Sequence, residues 1–99
     1  MVEHLVLFKV RSDATEAQVS EMVRRLRLLQ EECPGVIELS CGASFGDRAK
    51  GYTHGLYVRF PDRAALDAYQ VHPKQTACVV EAVRPTVEEG GILALDYEI

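Results

Sequence analysis

The segment Glu3 to Val10 (EHLVLFKV) constrains this chain most, because its middle is apolar on both sides. Read as a strand, it places His4, Val6, Phe8 and Val10 on one face and Leu5, Leu7 and Lys9 on the other. Both faces need cover. One layer of helices covers only one of them. The 99 residues are enough for a single domain spanning 1–99. A domain of that size buries only about 60–65% of its unfolded surface. The 47% apolar content provides a core without surplus, so the second face is expected to be buried against another copy of the chain.

Periodicity and capping give the remaining order. Thr15-Glu16-Ala17-Gln18 is a capping-box pattern with Thr15 as N-cap. Val19, Met22, Val23, Leu26 and Leu29 then recur at helical spacing, and Pro34-Gly35 ends the helix. Val36 to Phe45 alternates Ile37, Leu39, Cys41, Ala43 and Phe45 against polar or small residues. Tyr52 to Phe60 places His54, Leu56, Val58 and Phe60 on one face, so the two segments read as a hairpin across the polar loop Gly46 to Gly51. Asp62 caps a second helix carrying Ala65, Leu66 and Tyr69. The break at His72-Pro73 starts a third, with Thr76, Val80, Val83 and Val87 in phase and a kink or stop near Pro85. Gly90-Gly91 releases the chain into a last strand, Ile92 to Ile99. The expected fold class is α+β, a ferredoxin-like β-α-β-β-α(α)-β order with an antiparallel sheet and its helices on one face.

Composition removes several function classes. The net charge is −4 and the basic residues are spread among acidic ones. Phosphate binding needs clustered Lys and Arg, so no nucleic-acid partner is expected. Cys33, Cys41 and Cys78 are odd in number and lack C-x-x-C spacing, which points to buried reduced thiols rather than a disulfide framework or a zinc site. No leader pattern follows Met1, and no apolar run approaches the ~20 residues of a membrane span. A cytoplasmic protein with no membrane partner is the expectation, with no metal and no cofactor.

His4 in EHLVLFKV, the phrase GYTH from Gly51 to His54, the pattern YxxHP from Tyr69 to Pro73 and the pair Asp96-Tyr97 occur in an order that resembles the Dabb family, the stress-responsive α/β-barrel domain proteins. The resemblance runs from the first strand to the last. It implies a homodimer whose sheets pack face to face as a dimeric α+β barrel. Most members of the family have no assigned activity. The resemblance also implies a pocket between sheet and helices, where a plant cyclase of the family folds a linear polyketide thioester by aldol condensation with a tyrosine and a histidine. The tyrosine falls at Tyr69. The histidine belongs to the phrase HPxH, and its position here is Gln75.

A carboxamide exchanges no proton near neutral pH, so Gln75 can orient a carbonyl but cannot act as a base. With His72 as N-cap and Pro73 at the first helical position, Gln75 also suits a bond back to the cap residue. His72 precedes a proline and is held in extended geometry, which makes it a cap at the hinge between helices. The candidate catalytic residues are therefore Tyr69, His4 and His54. Tyr69 suits either a pocket hydroxyl or a core phenol. His4 and His54 end otherwise apolar faces of adjacent strands, where an imidazole can bind a carbonyl or carboxylate or take a proton. They are the histidines placed to replace the one missing at Gln75. Met22, Val23 and Leu26 would roof a substrate site floored by Val6, Phe8, Leu56 and Ala94, with His72 and Gln75 beside it, although each roof and floor residue is also ordinary core. Three functions stay open: a homodimer binding a small apolar or aromatic molecule, a cofactor-independent enzyme of cyclase or monooxygenase type using His4 or His54, and a structural stress-response protein.

Leu5, Leu7, Leu93, Leu95 and Tyr97 fall on the face away from the helices, and monomers rarely expose apolar patches beyond roughly 300–600 Å². Leu95→Arg is expected to dissociate or unfold the protein, because it puts an unpaired charge into a buried interface. Sedimentation velocity at micromolar concentration should give a dimer for the wild type and a monomer or aggregate for the variant. A monomeric wild type would contradict the arrangement.

Overall fold

Strand β1 (Val2–Val10) lies inside a four-stranded antiparallel sheet of order β2-β3-β1-β4, as its continuous apolar character requires. The computed structural model describes residues 1–99. The other elements are α1 (Glu16–Glu32), β2 (Glu38–Ala43), β3 (His54–Phe60), α2 (Arg63–Gln70), α3 (Pro73–Cys78), a π-helical turn (Val79–Val83) and β4 (Val87–Glu98). This is the ferredoxin-like arrangement expected from the sequence. No helix is long and apolar enough to cross a membrane.

Each helix starts where a side chain satisfies its free N–H groups. The Thr15 hydroxyl accepts from the Gln18 N–H at 3.1 Å and the Thr15 N–H donates to Gln18 Oε1 at 3.0 Å, completing the capping box. Asp62 Oδ1 accepts from Ala65 N–H at 2.9 Å. His72 caps α3 through Nδ1, which accepts from the Lys74 N–H at 3.1 Å, with Pro73 at the first helical position. Gln75 makes no bond back to the cap, because the His72 N–H already donates to the Tyr69 carbonyl at 3.1 Å.

The helices bury Met22, Leu26, Leu29, Leu66, Tyr69 and Val83 against Val2, Val6, Phe8, Leu39, Cys41, Leu56, Val58 and Phe60 of the sheet. The opposite face is open: Leu7, Leu93, Leu95 and Tyr97 are 40–60% exposed. One polar island interrupts it. Glu3, only 3% exposed, receives Arg59 Nε at 3.0 Å and Nη2 at 2.5 Å, and the Tyr57 hydroxyl at 2.6 Å. The Arg59 and Tyr57 hydrogen bonds hold its carboxyl below the usual range.

Several boundaries differ from expectation, each for a local reason. Strand β2 is the sheet edge and pairs only over Glu38–Ala43, so Ile37 and Phe45 lie outside it, exposed. Tyr52 lies in the turn before β3, with the Lys9 ammonium 4.7 Å from its ring centre. Arg84 N–H bonds five residues back to the Val79 carbonyl. Cys78, Ala82 and Val83 turn inward, while Thr76 and Val80, expected in phase with Val83, are exposed. Strand β4 begins at Val87, and Gly90-Gly91 lies within it as a bulge, between the pairs Phe8–Ile92 and Val10–Val87. Gly90 has φ of +73°, the left-handed region that favours glycine. A Cβ on Gly91 would lie 2.9 Å from the Glu88 carbonyl oxygen and 3.0 Å from Lys9 Cβ.

Gly91→Ala should therefore destabilise the fold by about 1–3 kcal/mol through overpacking against backbone. Gly46→Ala, with nothing near its Cβ, should stay within about ±0.5 kcal/mol. Paired thermal melts check this; equal melting temperatures would show that the bulge relaxes freely.

Candidate functional site

The antiparallel register places His4 opposite Asp96 on the helix side of the sheet, and His4 Nδ1 and the Asp96 carboxylate are hydrogen-bonded. His4 is buried, whereas the Asp96 side chain keeps 40% exposure and borders a groove of about 490 Å³ with Val2, Arg63, Leu66, Asp67, Tyr97 and Glu98. The His4 ring meets Tyr69 edge-on at 6.1 Å between centroids, and Phe60 packs 5.1 Å from the same tyrosine. An ionised carboxylate is acceptor only, so a neutral imidazole bonded to one through Nδ1 has its proton there and a lone pair at Nε2.

Neither His4 Nε2 nor the Tyr69 hydroxyl has a hydrogen-bond partner in the chain, yet no fully buried side-chain N or O atom lacks one. Both atoms therefore still touch accessible space. Burial, followed by the nearby Cys33, Cys78 and Cys41 thiols, pushes the Tyr69 phenol well above its ordinary range. It stays protonated at any working pH and so keeps a hydrogen to donate.

His54 is elsewhere. It pairs with Phe8, four residues along β1 from His4, which separates the two histidines by roughly 13 Å at strand rise. The structure does not bring them together. His54 Nδ1 lies 2.9 Å from the Thr53 hydroxyl, and burial lowers its pKa. It borders a second groove, of about 560 Å³, together with Val23.

The expected roof and floor are mostly core. Val6, Phe8, Met22, Leu26 and Leu56 are all buried, and none of the five principal grooves is lined by Met22, Leu26 or Tyr69. Ala94 pairs with Val6 on the helix side but is exposed, because α1 packs over β2 and does not cover β4. It is not beneath the α1 roof. His72 is spent on its cap, and Gln75 is partly buried in α3, which packs on α1. Asp96, read from the sequence only within the Asp96-Tyr97 pair, meets His4 because alternation puts its carboxylate on the inward face of the last strand, between the outward Leu95 and Tyr97.

The family description Stress responsive A/B Barrel Domain (Dabb) matches residues 2–99. The chain is a member of the Dabb family. It is 30% identical over 98 residues to a stress-response A/B barrel domain-containing protein of Arabidopsis thaliana, covering 98% of this chain and only 36% of that relative's length. Olivetolic acid cyclase of Cannabis sativa is 30% identical over 74 residues, 73% of each chain. The structure of hydroxynitrile lyase from Passiflora edulis is similar with a TM-score of 0.87 and 26% identity, covering 99% of this Dabb chain and 92% of the enzyme. A dimeric ferredoxin-like protein of unknown function from Jannaschia sp. has a TM-score of 0.83 and 30% identity over 99% and 98% of the two chains. The resemblance and fold class read from the sequence are thereby confirmed.

The lowered pKa of His54 gives this Dabb chain an acid sensitivity of fixed sign. The unfolded state, titrating near 6.5, takes up the proton before the folded state does. His54's contribution is thus fully present above about pH 6.5 and is lost as pH falls toward the folded-state value. Urea midpoints between pH 7.5 and 5 should drop more for wild type than for His54→Asn. Equal drops would show that His54 titrates as it does in the unfolded chain.

Proposed function

We propose that this Dabb chain acts as a homodimer that binds a small, largely apolar carbonyl compound or its adduct, and that His4 moves a proton at it without a cofactor. The observation carrying this reading is the His4–Asp96 pair, with Nε2 unpartnered beside the protonated Tyr69. A base oriented by a third group is the usual arrangement for general-base catalysis. In this reading Nε2 takes the proton, Asp96 stabilises the imidazolium, and the Tyr69 hydroxyl donates to oxygen as negative charge develops there. Gln75 leaves His4 as the base on this side of the fold. Two relatives named as a cyclase and a hydroxynitrile lyase support a carbon–carbon bond chemistry driven by proton transfer. The homodimer is supported by the open apolar face and the dimeric relative. Three buried, unpaired thiols suit a reducing cytoplasm.

A second reading is favoured by the packing of Met22, Leu26 and Tyr69 without a principal groove among them. In it the dimer is a structural stress-response protein and the phenol is core.

Mandelonitrile serves as the probe: loss of its hydroxyl proton to the base expels cyanide and leaves benzaldehyde, which is followed by absorbance. Release above the buffer rate is expected, falling by about 10²–10⁴-fold in His4→Ala, with a smaller loss in Asp96→Asn. Equal rates in wild type and His4→Ala would rule out His4 as the base. No release, together with unshifted His4 ring resonances on adding mandelonitrile, would favour the structural reading.

A further inference from the structure

The groove of about 560 Å³ lies between α1 and the open edge of β2, at the far end of the sheet from His4. Its size falls within the roughly 300–1,000 Å³ of small-molecule sites. Val19, Val23 and Leu28 give it an apolar wall on the flank of α1 beside the buried Met22-Leu26-Leu29 stripe.

Cationic and donor groups border the same space. Arg27 donates Nε at 3.1 Å and Nη2 at 2.8 Å to the Cys41 carbonyl, a combination that fixes the guanidinium against the sheet edge and leaves Nη1 free. Arg24, in the same groove, is occupied by Glu21. Arg27 has no carboxylate partner. Glu31 is the one carboxylate lining the groove, against two guanidiniums. The Ser44 N–H bonds inward to the Thr53 carbonyl at 2.8 Å, and no strand flanks β2 on its outer side. By antiparallel alternation the Ala43 N–H, one residue earlier, points out from that edge. An arginine fork anchored on a backbone carbonyl and flanked by a free backbone donor is pre-organised for an oxyanion.

We propose that this groove is a second ligand site, taking a small amphipathic monocarboxylate whose anion is held by Arg27 and the Ala43 N–H and whose apolar body lies on Val19, Val23 and Leu28. The site is independent of the His4–Asp96 reading, since it shares no lining residue with the groove at Asp96. The competing explanation for Arg27 is that it merely covers an unpaired carbonyl of an edge strand.

The test uses the full chain at pH 7, with 3-phenylpropanoate and its uncharged alcohol, 3-phenylpropan-1-ol, as probes read by backbone amide shifts. The acid is expected to give saturable shifts at Ala43, His54 and residues 19–28. The alcohol should bind about tenfold more weakly or worse, and Arg27→Gln should weaken the acid alone by a similar factor, the order expected for one charge-assisted hydrogen bond. The proposal is overturned by equal binding of acid and alcohol, by acid shifts that fall on Leu93, Leu95 and Tyr97 instead, by wild-type affinity in Arg27→Gln, or by no saturable shifts at millimolar concentration. The acid–alcohol comparison needs no variant and decides the matter even if Arg27→Gln fails to fold.

Discussion

The register of β1 against its two neighbours decides which polar groups meet in this fold. Pairing with β4 sets His4 opposite Asp96, and pairing with β3 sets Glu3 opposite Arg59. The first contact lies on the helix side and the second on the open side. A slip of one residue in β1 would exchange its faces, sending the Glu3 carboxylate into the core and the His4 imidazole out of it. Two side-chain pairings on opposite sides of one strand thus oppose the same error. Leu5, Val6, Leu7 and Phe8, apolar whichever way they point, could not specify register as well by themselves.

The same strand explains why the two sheet histidines differ so much. His4, near the start of β1, has a carboxylate within reach and an aromatic pair packed on its ring. His54, beside Phe8 near the strand's other end, has only a hydroxyl for a partner and is desolvated by burial. A carboxylate favours the charged imidazole and burial disfavours it. One face of one sheet therefore holds one imidazole hydrogen-bonded to a carboxylate and another whose pKa is lowered by burial.

The elements were legible in the sequence because their signals are local: the Thr15–Gln18 box, the Asp62 cap and the extended geometry that Pro73 imposes on His72 all act within four residues. Non-local features were harder to read. That Asp96 meets His4 depends on a pairing across 92 residues, and alternation alone identified the face without identifying the partner. The helical phase through Thr76 and Val80 failed because Cys78 and Ala82, rather than those two, share the buried face with Val83. Gly90-Gly91 looked like a strand boundary, and is instead a bulge that lets one strand continue through it. Ala94 shares a face with Val6, but whether a helix covers that face depends on where α1 packs, which the pattern of β4 does not encode.

Cys33 ends α1, Cys41 belongs to the edge strand β2, and Cys78 ends α3; all three are buried. Burial is the first cause raising each thiol, and Cys78 is pushed up to about 11. Alkylating reagents attack the thiolate, so in the closed protein they find neither access nor a nucleophile. Modification then has to wait for the packing around Tyr69 to separate. The chain therefore carries its own clock: the rate at which these thiols are labelled counts openings of the core, and the order in which they react tells which of helix, strand or hinge lets go first.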